Sequence, residues 1–197
     1  MKVLSVGKSR TAPILLTAVR DGEEPIGYRL TEGEYCALGS PPVGAELTEE
    51  VTAQMSAYDA RHRARSAAAR ILAFSENNRA MLIRKLRARG FDAALCESVC
   101  DEMVARGYIR EGDQLERAVL AAAKKLWGAR RIADALTAKG FARDAVLACI
   151  DRLAEAGEID FSENRRILLQ KKLPQDATYA ARRALLYRYG YGAGDGD

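Results

Sequence analysis

Few residues in this chain are suited to making or breaking bonds. Its 197 residues include one histidine, His62, set among Arg61, Arg63 and Arg65 on what reads as a long helix. Acid–base work would then fall to carboxylates, and these are scattered over presumed solvent faces. A Walker-type phosphate loop, a nucleophile elbow and an HExxH pair are all missing. The cysteines lack zinc spacing: Cys96 and Cys100 stand four apart, Cys36 and Cys149 are isolated, and no CxxC pair occurs. Cys96, Cys100 and Cys149 read as small buried apolar residues. No catalytic residue, metal or cofactor is expected, and the chain reads as a binding protein.

Basic side chains supply the remaining chemistry. Arg84, Lys85, Arg87 and Arg89 fall on one short helix, and Lys124, Lys125, Arg130 and Arg131 surround Trp127 and Gly128. Lys171, Lys172, Arg182 and Arg183 follow near the end with Arg165 and Arg166, while Arg61, Arg63, Arg65 and Arg70 occupy the first long helix. The net charge of +4 is uneven: residues 1–58 carry 5 basic and 8 acidic side chains, and the remainder 26 and 19. Taken singly, each basic residue is explained by a solvated helix face with i,i+4 partners. Taken as a recurring set, they could form a band that follows a polyanion or a helical filament.

The elements that would carry these residues are mainly helices. Ile14–Arg20 and Ile26–Leu30 are β-rich runs joined by Asp21, Gly22, Glu23, Glu24 and Pro25, which is a hairpin signal. Thr31 and Glu34 have capping-box spacing and predict a helix from Glu32 to about Leu38, stopped by Gly39, Ser40, Pro41 and Pro42. Thr48, with Glu49 and Glu50, predicts the next helix start. From there to Tyr189 the only proline is Pro174.

Within that helical stretch the sequence repeats every fifty residues. RKLRARGF (84–91) matches DALTAKGF (134–141), and the register holds downstream, with Asp101 on Asp151, Gly107 on Gly157 and Ile109 on Ile159. ALLYRYGY (184–191) begins a third copy, placing Leu186, Gly190 and Tyr191 on Leu136, Gly140 and Phe141. Asn78 is expected to cap a short helix with Leu82, Ile83 and Leu86 inside, and Gly90 to end it at positive φ. Asp92 then caps a helix whose Cys96, Val99, Cys100 and Met103 face the core, Gly107 ends it, and Tyr108 with Ile109 should cover the base of the core. The second unit repeats this with Ile132, Leu136, Phe141, Val146, Cys149, Ile150 and Leu153, and a preceding helix with Leu115, Val119, Ala122 and Leu126 supplies its third wall. Three-helix units this small should stack on neighbours.

These observations predict a mainly α fold: an elongated array of tandem three-helix units behind a small N-terminal β-hairpin and helix. The divisions are 1–54 for the β-rich piece, 55–111 and 112–160 for two repeats, 161–191 for an incomplete third, and 192–197 (GAGDGD) for a disordered tail. No stretch approaches the roughly 20 apolar residues of a membrane span, and MKVLSVGKSRTAPILL makes a poor signal peptide. No membrane association and a cytoplasmic monomer are expected.

The repeat resembles that of the RecX family, modulators of the RecA recombinase. The shared features are a basic residue, Gly and an apolar residue at the first corner (Arg89, Gly90, Phe91), and a Gly-Tyr-Leu-like close (Gly107, Tyr108, Ile109). The Gly-Pro-x-x-Ile start of the following unit is similar to Gly128, Ala129, Arg130, Arg131, Ile132, with alanine in place of proline. Glu158 stands where the second unit's tyrosine is expected, and Leu115 replaces an aromatic. The resemblance covers about residues 55–191 and implies a non-catalytic protein in the helical groove of RecA–DNA filaments, inhibiting recombinase and co-protease activity. It carries over no site residue by residue, so the candidate partner-binding set is the basic band named above. Two other readings stand beside it. One is a direct binder of single- or double-stranded DNA with helix-turn-helix-like units, stacking bases on Trp127, Tyr187 and Tyr189. The other is a scaffold that keeps the fold without the recombinase.

Overall fold

The computed structural model describes residues 1–10 and 12–192. The expected tail therefore lies, from residue 193 on, outside the described residues. Three strands, β1 (Lys2–Gly7), β2 (Ile14–Val19) and β3 (Ile26–Leu30), form an antiparallel sheet in that order. Helix α1 (Glu32–Ala37) follows, then the long α2 (Glu49–Phe74). After these come α3 (Arg79–Arg87), α4 (Ala93–Ala105), α5 (Glu111–Ala123), α6 (Ala129–Ala138), α7 (Arg143–Glu155), α8 (Phe161–Lys172) and α9 (Tyr179–Tyr189). The chain is thus mainly helical with a small N-terminal sheet, as its patterning predicts.

The hairpin β2–β3 forms with Ile14 opposite Leu30 and Ala18 opposite Ile26. Strand β1 was not predicted. A register shift between Val3 and Ser5 breaks the two-residue alternation that would have marked it. Val3, Leu16, Ala18, Tyr28 and Leu30 make the sheet's inner face and pack with Leu38 and with Met55 of α2. The capping box is present, with the Glu34 amide donating to Thr31 Oγ1 at 3.1 Å and the Thr31 amide to Glu34 Oε2 at 2.8 Å. Thr48 accepts from the Val51 amide at 3.3 Å and opens α2.

The chain divides into two compact units, Met1–Phe74 with Lys85–Glu102, and Ser75–Arg84 with the residues from Met103 onward. In the first, α4 is tied to α2 by Arg65 to Glu102 at 2.6 Å and Arg61 to Ser98 at 3.0 Å. In the second, α5, α6 and α7 enclose a core of Val119, Ile132, Leu136, Val146, Ile150 and Leu153, with Ile159 closing it. A smaller cluster joins Leu168 of α8, Leu185 and Leu186 of α9, and Tyr191 just after it.

The fifty-residue register is visible in the backbone. Gly90, Gly140 and Gly190 have φ of 85°, 95° and 90°, and Gly107 and Gly157 both 73°. At each corner of the first series the next residue's amide reaches back over the glycine: Phe91 to the Leu86 carbonyl, Phe141 to Leu136 and Tyr191 to Leu186. That is the Schellman arrangement, which needs a left-handed residue and so selects glycine. Asn78 caps α3 through the Met81 amide at 2.8 Å, and Asp92 caps α4 through the Leu95 amide at 3.2 Å.

Two packing expectations fail. Leu126 does not wall the second unit's core, because α5 ends at Ala123 and Leu126 sits at φ 61°. Its side chain packs instead in the cluster of α8 and α9. Tyr108 is 62% exposed while Ile109 is 3%, so of the two only the isoleucine is buried.

Candidate partner-binding surfaces

The second unit contains a joint that the repeat makes twice. Near α3, the Asn78 side chain donates to the Lys139 carbonyl at 3.1 Å, and a Cβ on Gly140 would lie 2.6 Å from Ala80 Cβ. Fifty residues on, the Gly128 amide donates to the Tyr189 carbonyl at 2.8 Å and the Arg130 amide to the Gly190 carbonyl at 3.2 Å. A Cβ on Gly128 would stand 2.6 Å from the Gly190 carbonyl carbon, so this crossing admits only glycine. In both cases the N-terminus of one unit's second helix meets the glycine corner of the next. At the second joint free amides of a helix start meet carbonyls of a helix end, and at the first the Asn78 side chain makes the contact instead.

Two residues of the expected basic band belong to this joint. Arg130 donates to the Tyr187 carbonyl at 2.5 Å and lies over the Tyr187 ring at 3.9 Å. Arg131 donates to the Arg188 carbonyl at 3.2 Å and lies over Trp127 at 4.5 Å and Tyr189 at 5.2 Å. Lys125 covers Trp127 at 5.2 Å. This chain's own cations therefore lie over Trp127, Tyr187 and Tyr189, the aromatics considered for base stacking, while Tyr187 stays 64% exposed. Tyr191 completes the joint by donating its hydroxyl to the Leu126 carbonyl at 3.3 Å.

Beside the joint, α8 and α9 flank a cavity of about 490 Å³. Arg165, Arg166, Arg182 and Arg183 line it with Tyr179 and Tyr187, over a floor of Leu169 and Leu186. A neighbouring cavity of about 370 Å³ adds Arg130. The structure therefore brings together Arg130, Arg182 and Arg183 from the expected band, with Arg165 and Arg166. Arg166 is held by Glu163 at 2.5 Å and Arg182 by the Gln175 carbonyl at 2.7 Å, whereas Arg183 makes no ion pair among the described residues. Arg182 and Arg183 occupy the positions of Ile132 and Ala133, both fully buried one repeat earlier. The third copy has turned a core face into a cationic one.

The other expected residues stand apart from these cavities. Lys171 and Lys172 are exposed in the last turn of α8, where they oppose its negative dipole end, and Lys124 is exposed at the C-cap of α5. Arg84, Arg87 and Arg89 are exposed on or just after α3, and Lys85 is half-buried.

Sequence reasoning missed Arg29 and Asp59. Asp59 is 8% exposed on α2 and accepts from the Arg29 amide and guanidinium, at 3.1 and 2.8 Å, and from Arg63 at 3.0 Å. An isolated aspartate on a charged helix carries no sequence signal of this kind. His62 is a fastener: its Nε2 meets Glu34 Oε2 at 2.7 Å and pins α1 to α2. Burial raises the Glu34 pKa, but the bonds from His62 and Thr31 outweigh it and leave the carboxyl below its usual range. Cys96, Cys100 and Cys149 are buried, and burial pushes the Cys96 and Cys149 thiols up, away from thiolate chemistry. Among the described residues no cluster of three or more His, Cys, Asp or Glu could hold a metal ion, and no helix is long and apolar enough to cross a membrane.

Comparison with known proteins adds a family. No protein-family model matches the chain. Regulatory protein RecX of Ectopseudomonas mendocina is 36% identical over 130 residues, covering 63% of this chain and 84% of the relative. That of Pseudomonas syringae pv. tomato is 35% identical over 123 residues, covering 60% and 77%. A crystal structure of regulatory protein RecX superposes with a TM-score of 0.72 at 16% identity, covering 98% of this chain and 96% of that one. RecX from Lactobacillus salivarius gives 0.60 at 14% identity, over 71% and 93%. The two structures establish a shared fold, and the sequence relatives establish descent: this chain belongs to the RecX family of regulatory proteins.

Proposed function

We propose that this protein is a non-catalytic cytoplasmic regulator that binds RecA–DNA filaments in their helical groove and restrains recombinase and co-protease activity. Its kinship with the RecX regulatory proteins carries the reading. The cationic face that Arg165, Arg166, Arg182 and Arg183 make on the last repeat supports it, because a filament groove offers many carboxylates and phosphates. The remaining candidate contacts are Arg84, Lys85, Arg87, Arg89, Lys124, Lys125, Lys171 and Lys172, acting as a monomer. The competing reading, direct nucleic-acid binding through stacked bases, loses support at Trp127 and Tyr189, which are half-buried beneath the Arg131 guanidinium.

Co-sedimentation with the host recombinase tests the proposal. The protein should pellet far more with recombinase assembled on single-stranded DNA than with either component alone at the same salt. Equal pelleting with bare DNA and indifference to the recombinase would refute it.

A further inference from the structure

The first unit holds a cavity of about 410 Å³, of whose lining the recombinase reading uses only Arg89. Arg29 reaches it from β3, Arg63, Ser66 and Arg70 from one face of α2, and Arg89 with Phe91 from the corner after α3. Positions 63, 66 and 70 are three and four apart, so one helix face presents them together. Four guanidinium groups thus converge, and the carboxylate bonded to them is Asp59, shared by Arg29 and Arg63. Arg70 and Arg89 make no ion pair among the described residues, and both are exposed.

Asp59 acts here as an organiser. Being buried, it cannot swing out to meet solvent, and it fixes two guanidinium forks at the cavity wall while neutralising one charge. The cavity keeps a surplus of three positive charges, with part of the ordering cost of binding already met. The corner is also open. A Cβ on Gly90 would meet nothing within 4 Å, whereas the equivalent Gly140 and Gly190 are pressed against Ala80 and Arg131. What the repeat uses for a joint in two places is left accessible in the first.

We propose that this cavity is a phosphate-binding site, with Arg29, Arg63, Arg70 and Arg89 as its donors. Planar guanidinium forks match phosphate oxygens in pairs, which ammonium groups cannot do. The volume exceeds that of one phosphate, and the Phe91 ring gives an apolar wall for an attached sugar or base. The phosphate comes either from a nucleic-acid strand or from a free nucleotide.

The test uses the full chain, without recombinase, so it and the filament reading can fail separately. Binding of a fluorescein-labelled oligodeoxythymidine is followed by anisotropy across a salt series, and binding of ATP and pyrophosphate by calorimetry. Arg70→Gln with Arg89→Gln should weaken the ligand about tenfold with an unchanged melting curve. If the strand is the source, the salt slope should also fall by about one per arginine removed. Arg70→Lys should keep that slope while losing affinity, since it retains charge without the fork. Loss confined to ATP and pyrophosphate assigns the site to free phosphates. Unchanged binding of all three ligands in the double variant, or tighter binding of polyglutamate than of any phosphate, overturns the proposal.

Discussion

At the scale of single residues, charges in this protein are used first to build it. Asp59 collects Arg29 and Arg63, Glu34 collects His62, and Arg65 takes Glu102. The Glu34 pair has a pH consequence. Its carboxyl titrates lower in the folded chain than its ordinary 4.5, so the unfolded chain binds a proton more readily. The stabilisation is complete above about pH 4.5 and drains away as pH falls through the lowered folded value. His62→Ala removes the bond that, with Thr31, depresses that pKa. Thermal melts of the two proteins should therefore differ most near neutrality and converge under acid. A gap that stays constant down to pH 3 would show that Glu34 is not the titrating partner.

At the scale of elements, the glycine corners decide whether a repeat closes. Gly157 and Gly190 share left-handed φ values of 73° and 90°, but they differ in what surrounds them. A Cβ on Gly157 meets open space, whereas on Gly190 it runs into the Arg131 backbone and Cβ. Gly157→Ala should cost about 1 kcal/mol, the conformational penalty alone. Gly190→Ala should cost about 3 kcal/mol, because overpacking against backbone adds to that penalty. Melting midpoints should fall by about 3 °C and about 9 °C respectively, and equal shifts would mean that the α6–α9 crossing is not formed as described. This contrast marks what the chain reveals before folding. Left-handed glycines, Asn78 and Asp92 caps and the Leu86, Leu136, Leu186 series are local signals, and each was legible. Strand β1 was not, because its bulge hides the alternation. The joint was not either: Arg130 and Arg131 look like any exposed pair until α9, nearly sixty residues away, brings its carbonyls to them. The same holds for the site around Asp59, whose arginines come from a strand, a helix and a corner that only the fold assembles.

At the scale of the whole molecule, basic residues must be sorted into those that hold the chain together and those that remain for a partner. Arg130 and Arg131 donate to the last carbonyls of α9 and cover its tyrosines, so their reversal attacks the fold as well as any partner contact. Charged hydrogen bonds of this kind, discounted for partial exposure, are together worth roughly 2 kcal/mol. Arg130→Glu with Arg131→Glu should thus lower the melting midpoint by about 6 °C. Lys171, Lys172 and Arg183 are exposed and make no ion pair among the described residues. Their joint replacement by glutamine gives up favourable dipole terms only for Lys171 and Lys172 at the end of α8, Arg183 lying exposed on α9, and should move the midpoint by no more than about 2 °C. On the filament reading, that triple variant should still lose about tenfold in affinity for recombinase–DNA filaments. The two variants together separate the roles that charge plays here. An unshifted melt for the arginine pair would deny the joint, and undiminished filament binding by the glutamine triple would remove Lys171, Lys172 and Arg183 from the partner surface.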